Sequence, residues 1–284
     1  MTGPQVRAPR ALAWLTAGGL LLVLAGVAVH LSGADVSWLL RVHARAPGAL
    51  ATLAWSCITV LGLGWCALIL VLAADRGAGW LSALLVPAFV VGGLLTHVTK
   101  WLLAVPRPAG TGLLPQMHLI GDAFRAPVSM PSGHSLTAFA TAALLCLVVT
   151  RSRLALRLLL LAAAALIAGS RVVVGAHWPS DILVGAGLGL LSVALCLTLI
   201  AGGVGRRLHQ GLAARIATPT GQRWVALAEV AAAIGLLAER TGYPAARPFV
   251  LVLVLLACAS AAWRWRAARD AQPPRLAAPP AERT

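Results

Sequence analysis

The sequence predicts an all-α, polytopic membrane bundle, and two observations carry that prediction. Of 284 residues, 60% are apolar and 11% charged, whereas about a quarter of a soluble domain is charged. The apolar residues also gather into charge-poor runs near or above the roughly 20 residues that cross a bilayer. Together these exclude an ordinary soluble enzyme, a disordered chain and a coiled coil. The formal net charge of +15 would suggest nucleic acid in a soluble protein. Here every basic residue except Lys100 is arginine, and most sit in short segments between apolar runs. That is the pattern of cytoplasmic loops beside anionic headgroups, and it argues against a nucleic-acid partner. Cys57, Cys66, Cys146, Cys196 and Cys258 lie inside apolar runs without CxxC or Cys/His spacing and read as packing residues.

Taken in order, residues 1–10 form a basic N-terminal tail and 11–34 a first helix. Leu31-Ser32-Gly33 makes a poor cleavage site, so this helix is expected to stay uncleaved. Helices follow at 52–74 and 78–100, then a hydrophilic loop, 101–132, with five prolines. The fourth helix spans 133–150, a turn carries Arg151, Arg153 and Arg157, and helices at 154–173 and 180–203 complete a six-helix core over 11–203. A basic cytoplasmic loop is expected at 204–223, two additional helices within 224–264, and a disordered cytoplasmic tail at 265–284. Orientation follows from the arginines. With eight helices, only Arg41, Arg45, Lys100, Arg107, Arg125, Arg171, Arg240 and Arg247 fall outside, leaving 15 of the 23 basic residues inside. Six helices, with the two tail segments lying on the inner surface, also keep the last five arginines inside, whereas seven would place them outside, against that bias. Trp38, Trp80, Trp101, Trp178, Trp224, Trp263 and Trp265 fall near helix ends, as interfacial anchors do.

Three segments on the predicted outer face break the apolar pattern. They are Lys100-Trp-Leu-Leu-Ala-Val-Pro-Arg107-Pro108, Pro131-Ser132-Gly133-His134, and Ser170-Arg171 followed by His177 and Asp181. Positive charge held outside needs a local reason, and an anionic ligand supplies one. Ser132 and Gly133 precede a helix whose first-turn N–H groups can face an anion, and Gly133 lets the backbone come close. Arg107 and Arg171 offer planar donor forks to phosphoryl oxygens, and Lys100 adds a point charge. His134 and His177 are able to exchange protons near neutral pH. Asp181, about one turn beyond His177, can hold its Nδ1–H and leave Nε2 free to attack. Pro179 suits the first position of the sixth helix.

KxxxxxxRP, PSGH and SRxxxxxHxxxD, matched at every motif position, resemble the three signatures of the type 2 phosphatidic acid phosphatase (PAP2) superfamily. The resemblance covers about residues 78–203 and implies a six-helix membrane core; it is silent on the last two segments. It implies that His177 attacks phosphorus to form a phosphohistidine with Asp181 orienting it, while His134 protonates the departing oxygen. Lys100, Arg107, Ser132, Gly133 and Arg171 would then hold the phosphoryl oxygens. It implies no metal and no cofactor, and the outer segments carry neither a carboxylate cluster nor a zinc ligand set.

The expectation is a lipid phosphatase of the cytoplasmic membrane, its site facing the periplasm or cell exterior and its substrate a membrane lipid phosphate. Undecaprenyl diphosphate is the substrate that family analogy favours. Phosphatidic acid, phosphatidylglycerol phosphate, lipid A phosphates and a lipid phosphotransferase reaction are the alternatives. A non-catalytic phospholipid-binding or transport protein is the rival of a different class, since a binder needs the cations but not His177, Asp181 and His134 together. The oligomeric state is left open. His97, His118, Asp122 and Arg125 are read as bundle or loop residues, and Glu229 as either interfacial or facing a neighbouring helix. Gly92-Gly93 and Gly185, Gly187 and Gly189 are read as close-packing positions rather than a phosphate loop.

Overall fold

The computed structural model describes residues 8–122, 126–149 and 153–271. Arg7, Arg125, Arg151, Arg275 and Arg283 of the orientation argument, and the tail from 272, lie outside the described residues. The architecture is the all-α bundle that the apolar runs predict. Helices α1 (Ala8–Leu31), α2 (Ala34–Val42), α3 (Ala49–Val60), α4 (Gly64–Ala74) and α5 (Trp80–Leu103) precede the motif loop. After it come α6 (Gly133–Val148), α7 (Leu154–Val173), α8 (Pro179–Ala201), α9 (Gly203–Ala217), α10 (Pro219–Ala238) and α11 (Arg247–Asp270). Among the described residues six stretches, covering α1, α5, α7, α8, α10 and α11, are long and apolar enough to cross a membrane, and the pair α3–α4 makes a seventh if counted as one span. Helix α6 is apolar but has 16 residues, a rise of about 24 Å against a hydrocarbon thickness of about 30 Å.

The centre of the bundle is α8, which packs along α1 on one side and α6 on the other. Its glycines make this possible. A Cβ at Gly187 would lie 2.5 Å from the Gly19 carbonyl of α1, and one at Gly185 would lie 2.4 Å from the Ser132 carbonyl at the start of α6. A Cβ at Gly189 would likewise sit 2.5 Å from Leu136 O. The small-residue stripe is therefore a backbone-to-backbone seam, as read from sequence, and it fixes the start of α6 against the start of α8. The apolar core around it joins Leu15 of α1, Leu84 and Leu85 of α5, Leu144 of α6 and Val193 of α8.

Three expectations change. The helix expected at 52–74 is broken into α3 and α4, bent by 66° at 61–63. Gly62, within the break, faces His134 of another helix, and periodicity within the run gives no sign of that neighbour. The basic loop expected at 204–223 is helical, formed by α9 and the start of α10. Its charges, Arg206, Arg207 and Arg215, hide it from a hydropathy reading, yet it buries His209 and Ala213. His209 Nε2 lies 3.2 Å from the Trp80 carbonyl, and its ring meets Trp80 edge-on. Finally, α11 continues to Asp270, into the segment expected to be disordered, because Ala268 is buried there.

The C-terminal pair α10–α11 is attached to the core by charge as well as by apolar packing. Arg264 of α11 is 3% exposed and donates to Leu72 O (2.6 Å), Asp75 O (3.2 Å) and the Gln222 amide oxygen. Its Nη2 is 3.5 Å from Glu229 Oε1, which also accepts from Ser260 Oγ at 3.0 Å. Glu229 thus faces its neighbours, the second of the two readings open to it. The Asp75 carboxylate meanwhile accepts from Gly79 N and Ser82 N, closing the start of α5.

Candidate active site

The three motif segments converge at one end of the bundle. Helix α5 carries Lys100 in its last turn and ends at Ala104, a left-handed cap (φ 47) that turns the chain into the motif loop. Val105 O accepts from Ser129 N (2.7 Å), and Pro106 pairs with Val128 in a single antiparallel bridge. Lys100 Nζ donates to Val128 O (3.2 Å) and Ser129 O (2.8 Å). The two ends of the 101–132 loop are therefore stitched together beneath Arg107, and Lys100 does part of that stitching.

Pro179 at the first position of α8 and Asp181 at its third obey the expected helix start, with Trp178 as the N-cap. Asp181 Oδ2 accepts from Trp178 N (2.9 Å), from His177 Nδ1 (3.1 Å) and from the Ser129 hydroxyl. Ser129 Oγ also lies 3.2 Å from His177 Nδ1. This network assigns the proton to Nδ1. Nε2 is then the lone-pair nitrogen, and it accepts from Arg107 Nη1 at 3.2 Å. Arg107 Nη1 donates as well to the Ala176 carbonyl at 2.6 Å, which fixes the guanidinium beside the ring. Burial first, then the charges of Arg107, Arg171 and Lys100, hold the His177 pKa well below the ordinary 6.5. Burial likewise lowers Arg107, with Arg171 adding repulsion. With the proton on Nδ1, the His177 ring presents its Nε2 lone pair to Arg107.

Ser132 caps α6 with its side chain, accepting from Ser135 N at 3.4 Å, while its own N–H donates to Asp181 O at 3.1 Å. The first-turn donors left for an anion are those of Gly133 and His134, which have no carbonyl within the helix. A Cβ built on Gly133 would meet no atom within 4 Å, so open space lies against this backbone. His134 follows, within electrostatic reach of Arg107, Arg171 and His177. Its ring packs on Gly62, where an added Cβ would lie 2.8 Å from His134 Cδ2. The α3–α4 break is the space His134 occupies.

Arg171, 1% exposed in the last turn of α7, donates from Nη1 to Thr59 Oγ1 (2.6 Å) and Tyr243 Oη (2.9 Å). All eight residues singled out from sequence, Lys100, Arg107, Ser132, Gly133, His134, Arg171, His177 and Asp181, thus belong to one neighbourhood. The sequence reading missed Ser129, Thr59, Tyr243 and Gly62. Ser129 alone had a local signal, three residues before Ser132 in the same turn-rich stretch. Trp178 is a correction: it is 6% exposed, not an interfacial anchor, and its indole N–H donates to Pro106 O at 2.7 Å. Its place directly after His177 draws it under the motif loop. His97 and His118 are exposed, and the His118 carbonyl lies 3.1 Å from His43 Nδ1. Among the described residues, no group of three or more His, Cys, Asp or Glu side chains is arranged to hold a metal ion.

Two known proteins and one family model are similar to parts of this chain. A lipid A 1-phosphatase of Rhizobium etli is 35% identical over 113 residues, which are 39% of this chain and 46% of the relative. The match therefore spans about half the length of that relative. A crystal structure of Aquifex aeolicus LpxE is similar at a TM-score of 0.47 and 24% identity, covering 57% of this chain and 93% of that one. The PAP2 superfamily model matches residues 80–202, from the first residue of α5 to the end of α8, and takes in all three motif segments. By that match, residues 80–202 of this chain are similar to the PAP2 superfamily.

Proposed function

We propose that this protein is a metal-independent lipid phosphatase that releases a phosphate or diphosphate terminus through a phosphohistidine. The observation that carries the reading is the state of His177: Nδ1 is held by Asp181, and Nε2 is a lone pair lying beside the Arg107 fork. A phosphate entering the site competes for Arg107, which exchanges Nε2 for phosphoryl oxygens and uncovers the nucleophile. His177 Nε2 then forms a bond to phosphorus as the bond to the leaving oxygen breaks, and His134 gives that oxygen its proton. In the second half, water attacks phosphorus, passes a proton to His134, and the P–N bond breaks to return neutral His177. Arg107, Arg171, Lys100 and the first-turn N–H groups at Gly133 stabilise the charge on the phosphoryl oxygens in both halves. A scaffold that merely binds phosphate has no use for the Asp181-oriented imidazole.

The substrate keeps its tails in the bilayer and presents its phosphate at the interface. The excess of arginine on the opposite face supports a site on the outer side of the cytoplasmic membrane. Undecaprenyl diphosphate fits that placement. Lipid A phosphate is the second reading, favoured by the likeness to the Rhizobium etli enzyme. In domain terms, 11–203 forms the phosphatase core, and the C-terminal helices attach to it.

The test is phosphate release by the detergent-purified protein, with EDTA present, from undecaprenyl diphosphate, lipid A, phosphatidic acid and phosphatidylglycerol phosphate. The expected result is release from one lipid class, abolished in His177→Ala. Loss of activity on adding EDTA would refute the metal-free mechanism. Loss of phosphate from the substrate only when a second lipid is present, with the phosphoryl group appearing on that lipid and not in solution, would mark a phosphotransferase. Phosphate binding without turnover on any lipid would return the protein to the binding class.

A further inference from the structure

We propose that Tyr243, in the turn between α10 and α11 and outside residues 80–202, is a positioning residue for the anion-binding fork of Arg171. Its hydroxyl accepts from Arg171 Nη1 at 2.9 Å, and the guanidinium carbon lies 6.0 Å from its ring centroid. Tyr243 is 3% exposed, so neither group is reached by bulk water there. Thr59 Oγ1, on α3, takes the second hydrogen of the same nitrogen at 2.6 Å. Two acceptors on one nitrogen fix both the plane and the rotation of a planar group. An arginine so held meets an incoming anion without first losing rotamer freedom, which is how preorganisation raises affinity.

The turn that carries Tyr243 is built into the site loop. Gly242 O accepts from Asp122 N at 3.0 Å. Gly121, at φ +76, leaves room for it, since a Cβ there would lie 2.3 Å from Gly242 O and 2.7 Å from Tyr243 Cδ1. Tyr243 and Ala246 continue into the apolar cluster that joins Val60, Ile120, Val174, Ala176 and Leu236. The C-terminal helix pair therefore delivers a polar acceptor to the phosphate site, as a working part of it.

This inference rests on reading Arg171 as an anion-binding group, and orthovanadate tests it apart from turnover. Orthovanadate affinity and phosphate release are measured on the full-length protein in detergent for wild type, Tyr243→Phe, Arg171→Lys and the double variant. Tyr243→Phe keeps the ring and is expected to weaken orthovanadate about tenfold. In the Arg171→Lys background it is expected to add nothing, because the fork it serves is gone. Thr59→Val should act like Tyr243→Phe, and Thr59→Ser should restore binding, which keeps the test valid if the Tyr243 variant folds poorly. Unchanged affinity in Tyr243→Phe, or an equal further loss in the Arg171→Lys background, overturns the proposal. Tyrosine-dependent orthovanadate binding without release from any lipid would sustain the positioning role and remove the phosphatase reading. No orthovanadate binding by wild type would remove both.

Discussion

Gly62→Ala is the smallest change that should disable the site without touching a charged or titratable group. The added Cβ would sit 2.8 and 2.9 Å from His134 Cδ2 and Cβ, and 3.0 Å from Ile167 Cγ2. Ordinary contacts begin at 3.4 Å, so His134 must retreat by about 0.5 Å or the α3–α4 break must open by as much. Ile167 closes the other side, and α6 is fixed at its start by the Gly185 seam, so the ring has little room to yield. On the proposed reading of His134 as proton donor, displacing it by a fraction of an ångström to 1 Å should cost about ten- to a hundredfold in turnover. Gly64→Ala is the matched control. It lies on the same broken span, but its nearest atom, Phe89 Cε1, is 3.9 Å away, so it should leave activity within about twofold. The assay is kcat and KM for lipid phosphate release, with circular dichroism and thermal stability confirming the fold of both variants. The expected result is a fall in kcat for Gly62→Ala alone, with KM little changed. Full activity in a folded Gly62→Ala protein would refute the placement of His134 against the break.

Other outcomes follow from the same geometry. Ser129→Ala removes the hydroxyl bonded to Asp181 and beside His177 Nδ1. It should lower kcat about ten- to a hundredfold with little change in KM, the range for a hydrogen bond to a charged group; an unchanged kcat would assign Ser129 to loop structure alone. On the proposed mechanism His177 must be neutral to attack, and burial first, then Arg107, Arg171 and Lys100, hold its pKa well below 6.5. The acid limb of kcat/KM, where protonation removes the nucleophile, should therefore lie below pH 6.5 in wild type and move upward in Arg107→Gln. The substrate's own phosphate ionisation, near 6, is common to both proteins, so any difference between their limbs reports the protein, and a downward move in Arg107→Gln would contradict the assignment. Arg264→Met strands Glu229, which is fully buried, and should cost about 3–5 kcal/mol of stability. Adding Glu229→Gln should recover part of that loss in a denaturation series, and strict additivity of the two changes would mean the pair is not coupled.

How much of this was legible in the chain depends on the distance along it. His177 and Asp181 are four residues apart across a helix start marked by Pro179, near enough along the chain for their pairing to be expected from sequence. The glycines at 185, 187 and 189 announced a close seam, because small residues in a row have few other uses in a bundle. The three motif segments are separated by up to 81 residues, from Lys100 to Asp181, yet they too were recognisable. Their residue types are out of place in an apolar chain and share one chemistry. By contrast, α9 carried too many arginines to register as an apolar run. Trp178, identical in type to the exposed tryptophans, gave no sign that it would be buried.

Composition and local patterning therefore determined the all-α membrane class, the order of the apolar helices and the eight residues of the candidate site. The first two depend on hydropathy and helix periodicity and the third on residue type and spacing, all properties of short stretches. Only the tertiary structure decided what those eight residues lean on. Thr59 meets Arg171 across 112 residues of chain and Tyr243 meets it across 72, while Gly62, within the break, faces a histidine from another helix. Such relations arise where helices from distant parts of the chain close on one another, and a glycine, a threonine or a tyrosine inside an apolar run carries no local mark of the partner it will meet.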